Sequence, residues 1–175
     1  MKTLKGTATR PTSDRVKESL FNIISAYIPE SNVLDLFAGS GSLGIEALSR
    51  GAAFAVFAEK SRESCSVIKE NLAFTKYVEK SEVLFMGFAE TQAKLALEGR
   101  KFDLVFLDPP YNKNFIQEAL KNLAKNDIIR YKGILVAEHH IDDQLPEYCG
   151  KLKFSRKQKY GDTVISIFKC EGTQY

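Results

Sequence analysis

The chain has 175 residues, 44% of them hydrophobic and 27% charged, with a formal net charge of +3. That is enough apolar chain for one domain with a full core, expected here over residues 1–175. No apolar run approaches the roughly 20 residues of a membrane span, and three scattered cysteines (Cys65, Cys149, Cys170) argue against a disulfide framework or a zinc site and fit a reducing cytoplasm.

Residues 1–12 read as a polar, irregular segment with no signal sequence, ending in Arg10-Pro11-Thr12. SDRVKESLFNIISAYI follows, with Val16, Leu20, Ile23, Ile24 and Tyr27 at helical spacing and Ser13 or Thr12 available as N-cap. From there short apolar strands alternate with helical stretches. The strands are expected at 32–37, 54–59, 82–86, 102–108 and 133–139. Continuous apolar strands separated by helices predict a parallel sheet covered on both faces. Two further stretches, 152–160 and 163–169, alternate with period two around Gly161-Asp162 and predict an antiparallel β-hairpin on the sheet.

Charge is unevenly placed. Lys2, Lys5, Arg10, Arg15 and Lys17 outweigh Asp14 and Glu18 near the start, and Lys151, Lys153, Arg156, Lys157 and Lys159 stand without an acid in KLKFSRKQKY. The remainder is net acidic. Such an asymmetry suits a polyanionic partner, although a solvated basic face or a lysine-protected edge strand would carry the same residues.

Two stretches carry chemistry. In DLFAGSGSLG, Gly39, Gly41 and Gly44 form a GxGxxG directly after one strand and before a helix, and Glu59 ends the next strand. That arrangement suits a nucleoside, with Glu59 accepting from the ribose hydroxyls, against the alternative of an ordinary strand-to-helix turn. Asp35, inside the strand, would repel a pyrophosphate but suits a cationic ligand; it could also order the loop by accepting from backbone amides. Asp35-x-Phe37-x-Gly39-x-Gly41 resembles the cofactor loop of S-adenosylmethionine-dependent methyltransferases.

The second stretch is LVFLDPPY, where Asp108 ends the fourth strand and Pro109, Pro110 and Tyr111 follow. Asp35, Glu59 and Asp108 all fall at carboxyl ends of strands and so share one edge. A carboxylate and a proline-fixed carbonyl can take the two hydrogens of an exocyclic amino group, and an aromatic ring can stack on a base. Asp-Pro-Pro-Tyr resembles the [Asp/Asn/Ser]-Pro-Pro-[Tyr/Phe/Trp] motif of amino-group methyltransferases, which gives Asp108, Pro109, Pro110 and Tyr111 as the catalytic set. No metal is required. His139-His140 reads as a solvated strand end.

Taken with RPTSDRVKESLFNII, LDLFAGSGSLGIEALSRGA, FDLVFLDPPY and KYGDTVISIF, the chain is similar to the bacterial 16S ribosomal RNA guanine-N2 methyltransferase family over about residues 9–169. The resemblance implies a Rossmann-like class I methyltransferase fold and guanine-N2 methylation of 16S ribosomal RNA, within the assembled small subunit. It also implies S-adenosylmethionine held by Asp35, Phe37, Gly39, Ser40, Gly41, Glu59, Lys60 and Phe88. Arg10, Thr12, Arg15, Lys153, Arg156 and Lys157 become the candidate RNA contacts. The family usually begins with a basic strand pair ahead of Arg-Pro-Thr, whereas only nine residues precede Arg10 here, so the expectation is a chain that is naturally short, is trimmed, or relies on its carboxyl-terminal basic hairpin. Phe88 stands where a polar residue often meets the adenine, leaving its backbone N–H and apolar packing to hold the base. Methylation of DNA adenine or protein glutamine, and a non-catalytic RNA-binding module, are the alternatives. The chain has no room for a DNA-reading domain, and the glutamine enzymes carry Asn in place of Asp108.

Overall fold

In a computed structural model, the structure describes Lys2, residues 11–110 and residues 115–172, with side chains in the first helix described from residue 14 onward. The order of elements is α1 (Pro11–Ile23), β1 (Asn32–Asp35), α2 (Ser42–Ser49), β2 (Phe54–Glu59), α3 (Arg62–Thr75), β3 (Ser81–Phe85), α4 (Phe88–Leu97) and β4 (Phe102–Leu107). Then come α5 (Phe115–Asn126), β5 (Ile129–His140), β6 (Tyr148–Cys149), β7 (Leu152–Tyr160) and β8 (Thr163–Cys170). They build one eight-stranded sheet in the order β3-β2-β1-β4-β5-β8-β7-β6. Strands β1 to β5 run parallel, and β6, β7 and β8 are antiparallel additions. The expected mostly parallel, doubly wound α/β sheet with a carboxyl-terminal antiparallel hairpin is the fold.

Strand alternation divides the core into two layers. Val33, Phe57, Phe106, Val136 and Ile167 face one side, where they meet Phe21 and Ile24 near α1, Ile45 of α2 and Ile68 of α3. Leu34, Val56, Leu107, Ala137 and Phe168 face the other, against Leu95 of α4 and Leu120 of α5. From β1 the chain winds outward through β2 and β3, then returns to place β4 on the other flank of β1. The carboxyl ends of β1 and β4 are therefore the switch point, where an open sheet leaves a crevice.

Four details differ from the sequence expectation. Helix α1 begins at Pro11, so residues 11 and 12 are not part of an irregular segment; proline's fixed φ and missing N–H suit the first helical position. Strand β5 starts at Ile129, four residues early, passing through Lys132 at φ +65° and a register shift against β4. A two-residue β6 flanks β7. In β7 the register against β8 skips Ser155, a bulge that turns Phe154 and Tyr160 to opposite faces. Phe154 packs on Phe168 at 5.7 Å, whereas the Tyr160 hydroxyl shares a 2.5 Å hydrogen bond with Ser19 of α1.

Candidate active site

The glycine loop is ordered from below and from the side. Gly41, at φ +80°, turns the chain in the left-handed region and caps α2. Gly44 lies so close to the sheet that a β-carbon there would stand 2.3 Å from Cε1 of Phe57. The Gly41 amide donates to Ala38 O at 2.6 Å, and the Gly39 amide donates to Oε2 of Glu59 at 3.0 Å. Oε1 of Glu59 accepts from the Ser61 amide at 2.8 Å. On the outer side, buried Asn71 of α3 donates to Ser40 O and to Lys2 O, each at 3.0 Å, fastening the loop to α3 and to Lys2.

Asp35 sits beneath this loop, 1% exposed, with Oδ2 accepting from the Gly44 amide at 3.3 Å and Oδ1 without a hydrogen bond among the described residues. Burial pushes its pKa up to about 7; the nearby backbone amides of Gly44 and Phe37 oppose that, and the Glu59 charge adds to it. Of the two roles its sequence position left open, the amide-ordering one is visible here.

A cavity of about 840 Å³ opens at the switch point. Phe37, Gly39, Glu59, Lys60 and Phe88 line one part, and Asp108, Pro109, Pro110 and Glu138 another. Asp35, Ser40 and Gly41 build the loop behind this wall. The rings of Phe37 in the loop after β1, Phe88 at the start of α4 and Phe115 at the start of α5 lie 5.1, 5.9 and 6.2 Å apart pairwise, with Lys60 Nζ 5.6 Å from the Phe115 centroid. This apolar cluster required knowledge of the crossovers, so Phe115 was not a sequence candidate. Five carboxylates (Glu59, Glu90, Asp108, Glu118 and Glu138) stand among the described lining residues against one cation, Lys60.

Asp108 is the first residue beyond β4. The register of β4 with β5 ends at Leu107 with Ala137, and the next residue of each chain segment, Asp108 and Glu138, lines the cavity. Burial, then the Glu138 and Asp35 charges, push the Asp108 carboxyl well above the usual carboxylate range. Pro109 is buried and Pro110 exposed, both on the cavity wall. Tyr111 lies outside the described residues. Glu138 follows the last apolar residue of GILVAEH, Ala137, as Asp108 follows Leu107, and that shared position was the signal available in the sequence.

The candidate RNA contacts separate. Arg10 lies outside the described residues, and Thr12 is within α1 with its side chain not described. Arg15 is exposed on α1, and Arg156 and Lys157 are exposed on β7. That strand runs toward the edge of the sheet holding the cavity: Tyr160 pairs with Thr163, which pairs with His140 at the end of β5. Lys153 lies at the opposite end, beside Lys169, with its ammonium 3.6 Å from Glu171 and over the Tyr148 ring. His139 is not solvated as expected. It is 5% exposed, because β8 folds alongside β5; Nδ1 donates to His140 O and Nε2 accepts from Ser166 Oγ, each at 2.9 Å. Burial lowers its pKa.

Residues 1–169 match the family model described as conserved hypothetical protein 95. The chain is 39% identical over 153 residues to ribosomal RNA small subunit methyltransferase D of Haemophilus influenzae, covering 86% of this chain and 79% of that one. It is 32% identical over 162 residues to the Escherichia coli K12 protein of the same name, covering 93% and 80%. A solved Streptococcus pyogenes structure described as a conserved hypothetical protein superposes with a TM-score of 0.81 at 34% identity, covering 91% of this chain and 98% of that one.

Proposed function

The chain belongs to the conserved hypothetical protein 95 family, which takes in the small-subunit ribosomal RNA methyltransferases D, and on that premise we propose that it is an S-adenosylmethionine-dependent methyltransferase acting on the N2 amino group of a guanine in 16S ribosomal RNA. It would work as a single domain over residues 1–175, in the cytoplasm, on the small subunit. The observation that carries this reading is the cavity shared by the glycine-loop wall and the Asp108-Pro109 turn.

The cavity fits that cofactor better than a dinucleotide. Two loop amides, of Gly39 and Gly41, are already spent on Glu59 and Ala38, so the loop is not presenting them to a pyrophosphate. An acidic wall repels phosphates and attracts a ligand carrying a sulfonium and an ammonium. Glu59 accepts one amide on each oxygen and retains lone pairs for ribose hydroxyls. Phe37, Phe88 and Phe115 offer apolar surface to the adenine.

S-adenosylmethionine, when bound, supplies an electrophilic methyl group. The protein's part is to present the nucleophile. A guanine amino nitrogen is weak because its lone pair is delocalised into the ring. Accepting its two hydrogens at the Asp108 carboxylate and the Pro109 carbonyl orients the nitrogen and favours localisation of the lone pair. Pro110 adds stiffness to that turn. Asp108 then holds the proton the nitrogen releases. Tyr111 remains the candidate for stacking on the extruded base. Arg15, Arg156 and Lys157 supply phosphate contacts.

The test is transfer of labelled methyl to small subunits from a strain lacking the modification, with mass mapping of the product nucleotide. Wild-type protein is expected to label one guanine, and Asp108→Ala to lose transfer while still binding S-adenosylmethionine by calorimetry. Transfer to none of the subunit's guanines, or only to DNA or a peptide glutamine, would overturn the reading.

A further inference from the structure

Glu138 lies outside both sequence motifs, yet it lines the same cavity as Asp108, each being the residue that follows the last β4–β5 pair, Leu107 with Ala137. Paired neighbouring strands stand about 4.8 Å apart, and these two residues directly follow such a pair, both line the cavity, and the Glu138 charge acts on Asp108, so the two carboxylates face the ligand space together. Two acids on a partly dry wall repel each other, and each loses hydration. Such a pair is matched by a ligand that brings two donors, side by side, to the same edge.

Among the nucleobases that requirement is selective. The Watson–Crick edge of guanine presents N1–H next to the N2 amino group. Adenine places the bare N1 acceptor beside its N6 amino group, and cytosine the bare N3 acceptor beside its N4 amino group. Facing Glu138, either would set a lone pair against a carboxylate. We propose that Glu138 is the residue that reads guanine, its carboxylate accepting N1–H while Asp108 and Pro109 hold the N2 amino group. This inference rests on the function proposed above and assigns the origin of its base choice.

The probe is 2-aminopurine, which keeps the 2-amino group but has no hydrogen on N1. Small subunits are reconstituted with 16S RNA carrying either guanine or 2-aminopurine at the position mapped for the wild-type reaction, and kcat/KM is measured on both. A site built to accept a hydrogen bond rejects an analogue lacking the donor strongly, so the wild type should favour guanine by about 100-fold or more. Glu138→Gln can donate its amide hydrogens to the bare N1, and its ratio should fall below about 10-fold, with guanine turnover itself down about 10- to 100-fold. Glu138→Ala should flatten the ratio similarly, and S-adenosylmethionine binding reports that each variant is folded. A wild type that uses both bases equally, or a Glu138→Gln enzyme that keeps the wild-type ratio, overturns the assignment of Glu138 alone. No product in the wild-type guanine arm overturns the methyltransferase reading with it. A role for Glu138 limited to raising the Asp108 pKa would leave the base ratio unchanged.

Discussion

Glu59, at the end of β2, accepts the Gly39 amide at 3.0 Å and thereby ties the glycine loop to the neighbouring strand. The same carboxylate lines the cavity, so ordering the loop and meeting a ligand are joined in one side chain. In Glu59→Ala, the amides of Gly39 and Ser61 both lose their acceptor. Hydrogen exchange at Gly39 should accelerate at least tenfold, and S-adenosylmethionine affinity should fall by about 10- to 100-fold. Unchanged exchange at Gly39 would show that something else orders the loop.

Gly44 is required by Phe57. With only 2.3 Å between an added β-carbon and the ring, Gly44→Ala must move α2 or the phenyl group and should cost about 1–3 kcal/mol in urea unfolding. Phe57→Leu alone should also destabilise. The double variant should be more stable than the sum of the two single losses, and strict additivity would count against the contact.

Asp35 gives stability a pH dependence opposite to that of most acids. Its folded pKa of about 7 lies above the ordinary 3.8, so its contribution is fully present below pH 3.8 and is lost as pH rises toward 7. Asp35→Asn removes that titration while keeping an acceptor for Gly44. Between pH 5 and pH 7 the stability of the wild type relative to this variant should fall by about 2–3 kcal/mol, measured by urea unfolding at each pH. A constant difference would mean that Asp35 is ionised throughout.

Asp108 must be ionised to take the released proton, and its pKa is raised. The acid limb of kcat/KM should therefore lie above the ordinary carboxylate range. Glu138→Gln removes one of the charges that raise it, so the limb should move to lower pH. A limb that stays put, or moves upward, would contradict the electrostatic contact between these residues.

The basic hairpin should act through phosphates. Replacing Arg156 and Lys157 with alanine should weaken subunit binding and lower the salt slope of log K by about 2. Lys153→Ala should do less, since that ammonium is engaged with Glu171 at the far end of the strand.

The alternation of apolar strands with helices was legible because each strand buried on both faces must be apolar throughout. The acids at the ends of β1, β2 and β4 were legible because a charge closing such a run has few structural uses. Glu138 follows its apolar run in the same way, but it is still inside β5 and has no neighbouring glycine or proline motif to mark it. Other features depended on pairing that no local pattern carries. His139 looks solvated until β8 is laid along β5, and Phe115 joins the cavity only after a crossover returns it to Phe37 and Phe88.

Ser155, exposed and chemically plain, holds an unusual position: it is the extra residue that reverses which way the rest of its strand points. Before it, Phe154 belongs to the layer beneath α5; after it, Tyr160 belongs to the layer beneath α1. Swapping Ser155 for another side chain should pass almost unnoticed, and deleting it would leave Phe154 and Arg156 consecutive opposite Phe168 and Ile167, the partners they already have, so the tyrosine latch on α1 should survive. The same loss anywhere within the unbroken register of residues 156–160 would turn the positions before it to the wrong face, so the one unpaired residue is where this strand can absorb a change of length.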